Sequence, residues 1–451
     1  MRIRTTAIAV VLGITLIACG APASAVEPPQ VIVGFTLPDE APGPELPTKQ
    51  DKGCLAAGVL KDSDLSRVPP PELTLDLPRA RALSRGTGVT VAILDTGVTP
   101  SSRLPGLVGG GDYVAAGGDG LSDCDAHGTL VAGIIGATSE PTDGFAGVAP
   151  DAKIISIRIR SGAFNLDKPS NDAPDQIALD IRAMARAIVH AANQGAGVIT
   201  VALPICVKVG SPVDQSLLSA AIGYAVHVRG SLIVAGAGNA TAMNCEQNPE
   251  IDLTRPEDPR NWRDVKTVST PGWFGSDVLT VGFTTATGAL MQDSLTGPWV
   301  SVAAPGTAIE SLGPGGSGLI NGVGEPNKLV PVGGASFAAA YVSGVAALVR
   351  SRFPNETPGE IMSRLQASAH HPARGIDNVV GAGIIDPVAA LSYRTPPQPP
   401  AGLYRSSVLT MPPAPRAKDT RPMFTAAAVI LAAIVLGLGA SYVASAGRRR
   451  R

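Results

Sequence analysis

Ser336 stands behind a Gly333-Gly334-Ala335 run and in front of an Ala/Val-rich stretch that reaches Val349. A serine at a helix N-terminus lies among free N–H groups and at the positive end of the helix dipole, where developing negative charge is stabilised. It becomes a nucleophile only when a base stands beside it; its commonest role is an N-cap. A candidate base is His127, one of five histidines, in Asp123-Cys124-Asp125-Ala126-His127-Gly128-Thr129. It opens a small-residue apolar segment, Leu130 to Gly136. Asp95 follows the apolar run Val89 to Leu94 and precedes Thr96-Gly97. A carboxylate at the end of such a strand lies where open α/β sheets form their sites, although an aspartate in a turn is ordinary. Asn239 closes Gly236-Ala237-Gly238 after the run Ser231 to Ala235. Its amide could donate to an oxyanion, and it is equally an ordinary turn residue.

The elements that must position these residues alternate. Both faces of Val89 to Leu94 are apolar, as a central parallel strand requires. Further strands are expected at Ile154 to Ile159, Gly197 to Leu203, Ser231 to Ala235, Val278 to Val281 and Val300 to Ala304. Helices are expected from Asp175 to Asn193, from Ser216 to Arg229 and after Ser336, where Val342, Val345, Leu348 and Val349 recur at helical spacing. The last helix of the body is expected within Asn355 to Ala369. Alternating strands and helices give an α/β fold with a mainly parallel sheet covered on both sides.

The 451 residues suffice for one large domain with appendages, and with a net charge of −1 nothing suggests a nucleic-acid partner. Residues 1–25 read as a signal peptide: a basic start, an apolar run from Ala7 to Ala18, and Ala23-Ser24-Ala25 as the cleavage site. Leu16-Ile17-Ala18-Cys19 offers the alternative of lipidation at Cys19. Cleavage after Ala25 is preferred, because a second anchor makes a lipid redundant. That anchor is the apolar run at 423–445, long enough to span a bilayer, followed by a basic tail at 446–451. The signal peptide places the body outside the membrane and the tail in the cytoplasm. Residues 395–422 form a Pro-rich linker. Residues 26–74 form a Pro-rich N-terminal extension in which only Val31 to Leu37 looks like a strand. Cys54, Cys124, Cys206 and Cys245 remain after the leader, an even number in an exported chain, so two disulfides are expected in one of three pairings. No Cys-x-x-Cys spacing and no dense oxygen cluster points to a metal. Asp123 and Asp125 read as parts of a solvated loop, as does the stretch Glu246 to Asp252.

Taken together, Asp95-Thr96-Gly97, His127-Gly128-Thr129, Gly238-Asn239 and Gly334-Ala335-Ser336-Phe337-Ala338 occur in an order that resembles the subtilisin-like serine proteases, with Gly147-Val148-Ala149-Pro150 and Gly381-Ala382-Gly383-Ile384-Ile385-Asp386 in support. The likeness covers about residues 75–392 and implies a protease domain at 75–394 with a three-layer subtilisin-like fold. It also implies residue roles: Ser336 as nucleophile, His127 as base, Asp95 as its partner and Asn239 as an oxyanion donor. No cofactor is implied. The whole layout, from leader to membrane helix, resembles the mycosins, membrane-anchored proteases of actinobacterial type VII secretion systems. That resemblance implies an extension that wraps the protease domain, the pairings Cys54–Cys124 and Cys206–Cys245, and secretion-complex subunits as partners. It leaves two expectations of function: an endopeptidase cutting a few exported proteins, and a mainly structural member of the complex. The chain departs from the subtilisin pattern at Ala335, Ala340 and Tyr341, and at Pro204, which has no N–H to offer a substrate strand. The last departure favours narrow specificity.

Overall fold

The computed structural model describes residues 26–35, 37–168, 176–240, 242, 245–316, 318–373, 375–393 and 421–448. The expected leader with Cys19, nearly all of the linker and the end of the tail lie outside them. Two units are distinct, 1–394 and 395–451.

The first unit is built on seven strands: β1 Thr90–Asp95, β2 Leu107–Asp112, β3 Lys153–Arg158, β4 Val198–Val201, β5 Leu232–Gly236, β6 Val278–Thr284 and β7 Val302–Pro305. Their order across the sheet is β7-β6-β5-β4-β1-β3-β2. Every pairing in it is parallel. The chain runs from β1 to one edge and back, then continues on the other side, so β1 lies at the topological switch where such sheets open a cleft at their carboxyl ends.

Strand side chains alternate between two cores. Val91, Ile93, Val198 and Val234 pack on one face with Leu130, Ile134 and Ile135 of α1 (His127–Gly136). Ala92, Leu94, Ile199 and Ile233 pack on the other with Ile181, Met184 and Ile188 of α2 (Gln176–Asn193) and Leu218 and Ile222 of α3 (Ser216–Gly223). The three-layer arrangement follows from strands that are apolar on both sides. The helix α4 (Ala335–Arg352) joins the first core, and every residue from Ala335 to Val349 is buried. A helix apolar all round is a core helix; Gly344 lets it close on α1's side, since a Cβ there would stand 2.5 Å from Val148 Cβ. Tyr341 is buried in the same helix, and its hydroxyl has no hydrogen-bond partner among the described residues.

Three expectations fail locally. Among the described residues, Val31 to Leu37 holds no strand. Ile32 N donates instead to Ser219 Oγ, and its carbonyl lies so near α3 that a Cβ on Gly223 would stand 2.2 Å from it. The extension's strands are Thr48–Gln50, antiparallel to Phe164–Leu166, and Ala56–Gly58, antiparallel to Gly322–Glu325. The helix α5 (Pro358–Ala367) is not the last of the body, because α6 (Pro387–Ser392) follows, capped by Asp386. In the expected helix after Ser216, a π-helical turn replaces α geometry over Tyr224–Val228.

Disulfides join Cys54 to Cys124 and Cys206 to Cys245. The first fastens the extension beside the start of α1, where Leu55 N also donates to Cys124 O at 2.9 Å. In the second unit one helix, Arg421–Arg448, contains the window Phe424–Ser441, which is long and apolar enough to cross a membrane.

Candidate active site

Asp95 is the last residue of β1 and His127 the first of α1. Their loops meet without side chains between them. A Cβ on Gly128 would stand 2.0 Å from Gly97 O, and one on Gly97 would stand 2.1 Å from Ser122 O. Gly97 also has φ +99°, a region that glycine alone enters without strain. Ala126, just before His127, holds φ +63°, a left-handed turn that costs a non-glycine residue about 1–3 kcal/mol and is tolerated where surroundings fix it.

This close approach assembles a relay. His127 Nδ1 lies 2.7 Å from Asp95 Oδ1, and His127 Nε2 lies 2.8 Å from Ser336 Oγ. Asp95 Oδ1 also accepts from Thr96 N at 2.7 Å. The imidazole lies near the Phe337 ring, with centroids 5.0 Å apart. Burial disfavours the imidazolium, but the charge and hydrogen bond of Asp95 prevail, aided by Asp123 and Asp125, and His127 titrates above an ordinary histidine. Ser336 is the second residue of α4, in the turn whose N–H groups lack intrahelical acceptors.

Asn239 follows β5 and reaches the same helix start. Its Oδ1 accepts from Ala335 N at 3.0 Å, which leaves Nδ2 as the donor of that amide. Gly334, with φ +135°, makes room for it, since a Cβ there would stand 2.8 Å from Asn239 Nδ2. All four residues singled out in the sequence, Asp95, His127, Asn239 and Ser336, therefore converge on one corner of the fold.

The sequence reading of Asp123 and Asp125 as a solvated loop is overturned. Asp123 is buried, and its carboxylate accepts from Thr96 Oγ1, Thr129 N and Thr129 Oγ1. Burial pushes its carboxyl above the ordinary aspartate value, against the pull of the Thr129 and Thr96 bonds. Asp125 accepts from Ser161 Oγ at 2.6 Å and Gly162 N at 2.9 Å, so it braces the segment after β3. The spacing Asp-x-x-x-His was legible, but the partner Thr96, 27 positions earlier, was not. Glu246 and Asp252 do lie in a surface loop, paired with Lys266 and Arg255. Trp262 packs on Trp299, and Trp273 Nε1 donates to Gln215 Oε1.

Past β4, Ala202-Leu203-Pro204 leads into Ile205–Lys208, which pairs antiparallel with Thr267–Thr270. Gly238 packs against this ribbon, with Cys206 Sγ and Leu295 Cδ2 within 3.6 Å and 3.2 Å of the position a Cβ would take.

A parallel sheet of this order with an Asp–His–Ser relay at its carboxyl end defines a subtilisin-type serine peptidase. The model of the subtilase family, peptidase S8, matches residues 86–383, and the chain belongs to that family. Within it, the chain groups with the mycosins. It is 44% identical over 434 residues to Mycosin-1 of Mycolicibacterium smegmatis, covering 95% of this chain and 96% of that protein. It is 45% identical over 441 residues to Mycosin-3 of Mycobacterium tuberculosis, covering 95% of each. The crystal structure of MycP1 from Mycobacterium smegmatis superposes with a TM-score of 0.79 at 46% identity, over 85% of this chain and 99% of that one. A chain in the intact ESX-5 inner membrane complex superposes with a TM-score of 0.79 at 45% identity, over 93% of this chain and 100% of that one.

Proposed function

We propose that this chain is a membrane-tethered serine endopeptidase of a type VII secretion system that cuts a narrow set of exported proteins through an acyl-enzyme. The observation that carries the mechanism is the unbroken relay from Asp95 Oδ1 through His127 to Ser336 Oγ, at 2.7 and 2.8 Å. His127 Nε2 takes the Ser336 proton as Oγ attacks the scissile carbonyl. The tetrahedral oxyanion is met by Asn239 Nδ2 and the Ser336 N–H, a side-chain donor of this kind contributing about 3 kcal/mol. His127 then gives its proton to the leaving amine, and water, activated by the same imidazole, hydrolyses the ester and restores Ser336. Asp95 holds the Nδ1–H tautomer and stabilises the imidazolium without taking the proton. The raised His127 value puts loss of the base on the acid side above the ordinary histidine range.

In this reading residues 26–74 are an extension wrapped on the protease domain at 75–394, the linker is 395–422, and 423–445 spans the membrane. The protease domain faces the extracytoplasmic side, and the tail 446–451 is cytoplasmic. Pro204 narrows specificity by removing one donor from the strand that would pair with substrate.

The test is labelling of the full-length protein in detergent by a fluorophosphonate, with Ser336→Ala as control. Wild-type labelling that vanishes in the variant is expected; equal labelling of both sinks the assignment. A second reading, a structural member of the secretion complex, draws on the relative found within the ESX-5 inner membrane complex, whose chain covers 93% of this one. A secretion assay with the same variant separates the two: secretion lost with Ser336→Ala excludes a purely structural role.

A further inference from the structure

Asp123 is outside the relay, yet it holds both loops that carry the relay's first two members. Its Oδ1 accepts from Thr96 Oγ1 at 2.8 Å and Asp125 N at 3.1 Å, and its Oδ2 accepts from Thr129 N at 2.9 Å and Thr129 Oγ1 at 2.6 Å. Both hydroxyls are already acceptors for backbone N–H groups. Gly128 N donates to Thr96 Oγ1 at 2.9 Å, and Thr99 N donates to Thr129 Oγ1 at 3.0 Å. Each threonine's own proton is therefore the part left to reach the carboxylate. Four converging donors match an ionised, acceptor-only aspartate. The side chain is almost wholly buried, so these bonds act in a low local dielectric.

Thr96 is the hinge of the arrangement. Its N–H donates to Asp95 Oδ1, the atom that faces His127 Nδ1, while its hydroxyl ties Gly128 N to Asp123. We propose that Asp123 is a positioning residue for peptide-bond cleavage. Its carboxylate clamps the Asp95-Thr96 turn to the start of α1, and its charge is a second fixed anion acting on the His127 imidazole. The charged groups that act on His127 are Asp95, Asp123 and Asp125, all raising its proton affinity. Asp125 spends both oxygens on Ser161 and Gly162, so it braces the segment after β3 rather than the relay's two loops.

The inference rests on the Ser-His-Asp reading, and the experiment keeps the two apart. The second-order rate of fluorophosphonate labelling is measured against pH for full-length wild type, Ser336→Ala and Asp123→Asn. Asparagine keeps the shape but removes the charge and turns one acceptor into a donor. The expected result is a maximal rate lower by roughly 100-fold, the scale of an ångström-sized misplacement. The midpoint of the acid limb should also move to lower pH, since a lost anion lowers the affinity of His127 for its proton. Wild-type rate and midpoint in Asp123→Asn overturn the proposal. A lower rate with an unmoved midpoint also overturns it, because that is what a merely structural aspartate gives. Thr129→Ser and Thr129→Val carry the test if Asp123→Asn does not fold: the serine variant should keep the rate and the valine variant lose it, and equal losses count against the clamp. Labelling that survives Ser336→Ala overturns the relay and this inference together. Loss in Ser336→Ala beside an unaltered Asp123→Asn overturns the inference alone.

Discussion

The catalytic corner and the N-terminal extension are held to the same body by opposite means. In the corner, Asp95, Asp123 and Thr129 are buried, and two loops touch through glycines with no room for a methyl group. The described part of the extension from 26 to 68 holds no buried residue, and burial begins only at Pro69, Pro71 and Glu72. Asp39 pairs with His190, Glu40 with Arg186, and Glu45 with Arg182 and Arg186, all on α2. Two strands of three residues each, one disulfide and scattered hydrogen bonds, such as Ile32 N to Ser219 Oγ and Leu60 N to Asn321 Oδ1, add to its attachment. The corner is therefore a single unit in which one displaced atom disturbs every distance. The extension is a series of separate tethers, each of which can be lost alone.

The sharpest way to break that contrast is Gly128→Ala. Its Cβ would meet the Gly97 carbonyl oxygen at 2.0 Å, and backbone cannot yield as a flexible side chain would. Fluorophosphonate labelling should fall by at least about 100-fold, since the displaced atoms are those that set the Asp95–His127 distance. Labelling close to wild type would mean that the loops can separate and the corner is less tightly built than its contacts imply. Next in size is Cys54→Ser/Cys124→Ser. The bridge spans a sequence separation of 70, and its loss should lower stability by about 4 kcal/mol in the chain-entropy account. Thermal unfolding measures this, and labelling of the still-folded variant should persist. Labelling that collapses while the rest of the fold stays intact would show that the corner depends on the extension. The smallest effect is expected for Arg182→Ala. It removes the pair with Glu45, in which the arginine is exposed, and exposed pairs of this kind contribute only about 0–1 kcal/mol. Added salt should shrink the difference between variant and wild type; a cost that is large and insensitive to salt would move α2 and the extension into the rigid class.

Several features were legible because they depend on neighbours in sequence. Val91 to Leu94 reads as a buried parallel strand since successive side chains must enter two different cores. Ala335 to Val349 reads as a core helix because no polar face is present to meet water. The motif residues Asp95, His127, Asn239 and Ser336 were legible as types and in order. The extension was not. Val31 to Leu37 looks like a strand, but Ile32 N donates to a serine side chain on α3 instead of to a neighbouring strand. Nothing within the segment records that choice. Asp123 was misread for a related reason: an aspartate between a cysteine and a loop looks solvated until the fold brings Thr96 and Thr129 over it.

The sequence by itself determined six of the seven strands of the central sheet, the buried helices, the apolar C-terminal helix and the candidate reacting groups. These follow from local periodicity and from the chemistry of each side chain. Only the tertiary structure decided that Asp123 belongs to the corner, that Gly97 and Gly128 must be bare, and where the extension lies. Those are contacts between segments far apart in the chain, and their energies come from burial and hydrogen-bond geometry that exist only once the sheet has brought the segments together.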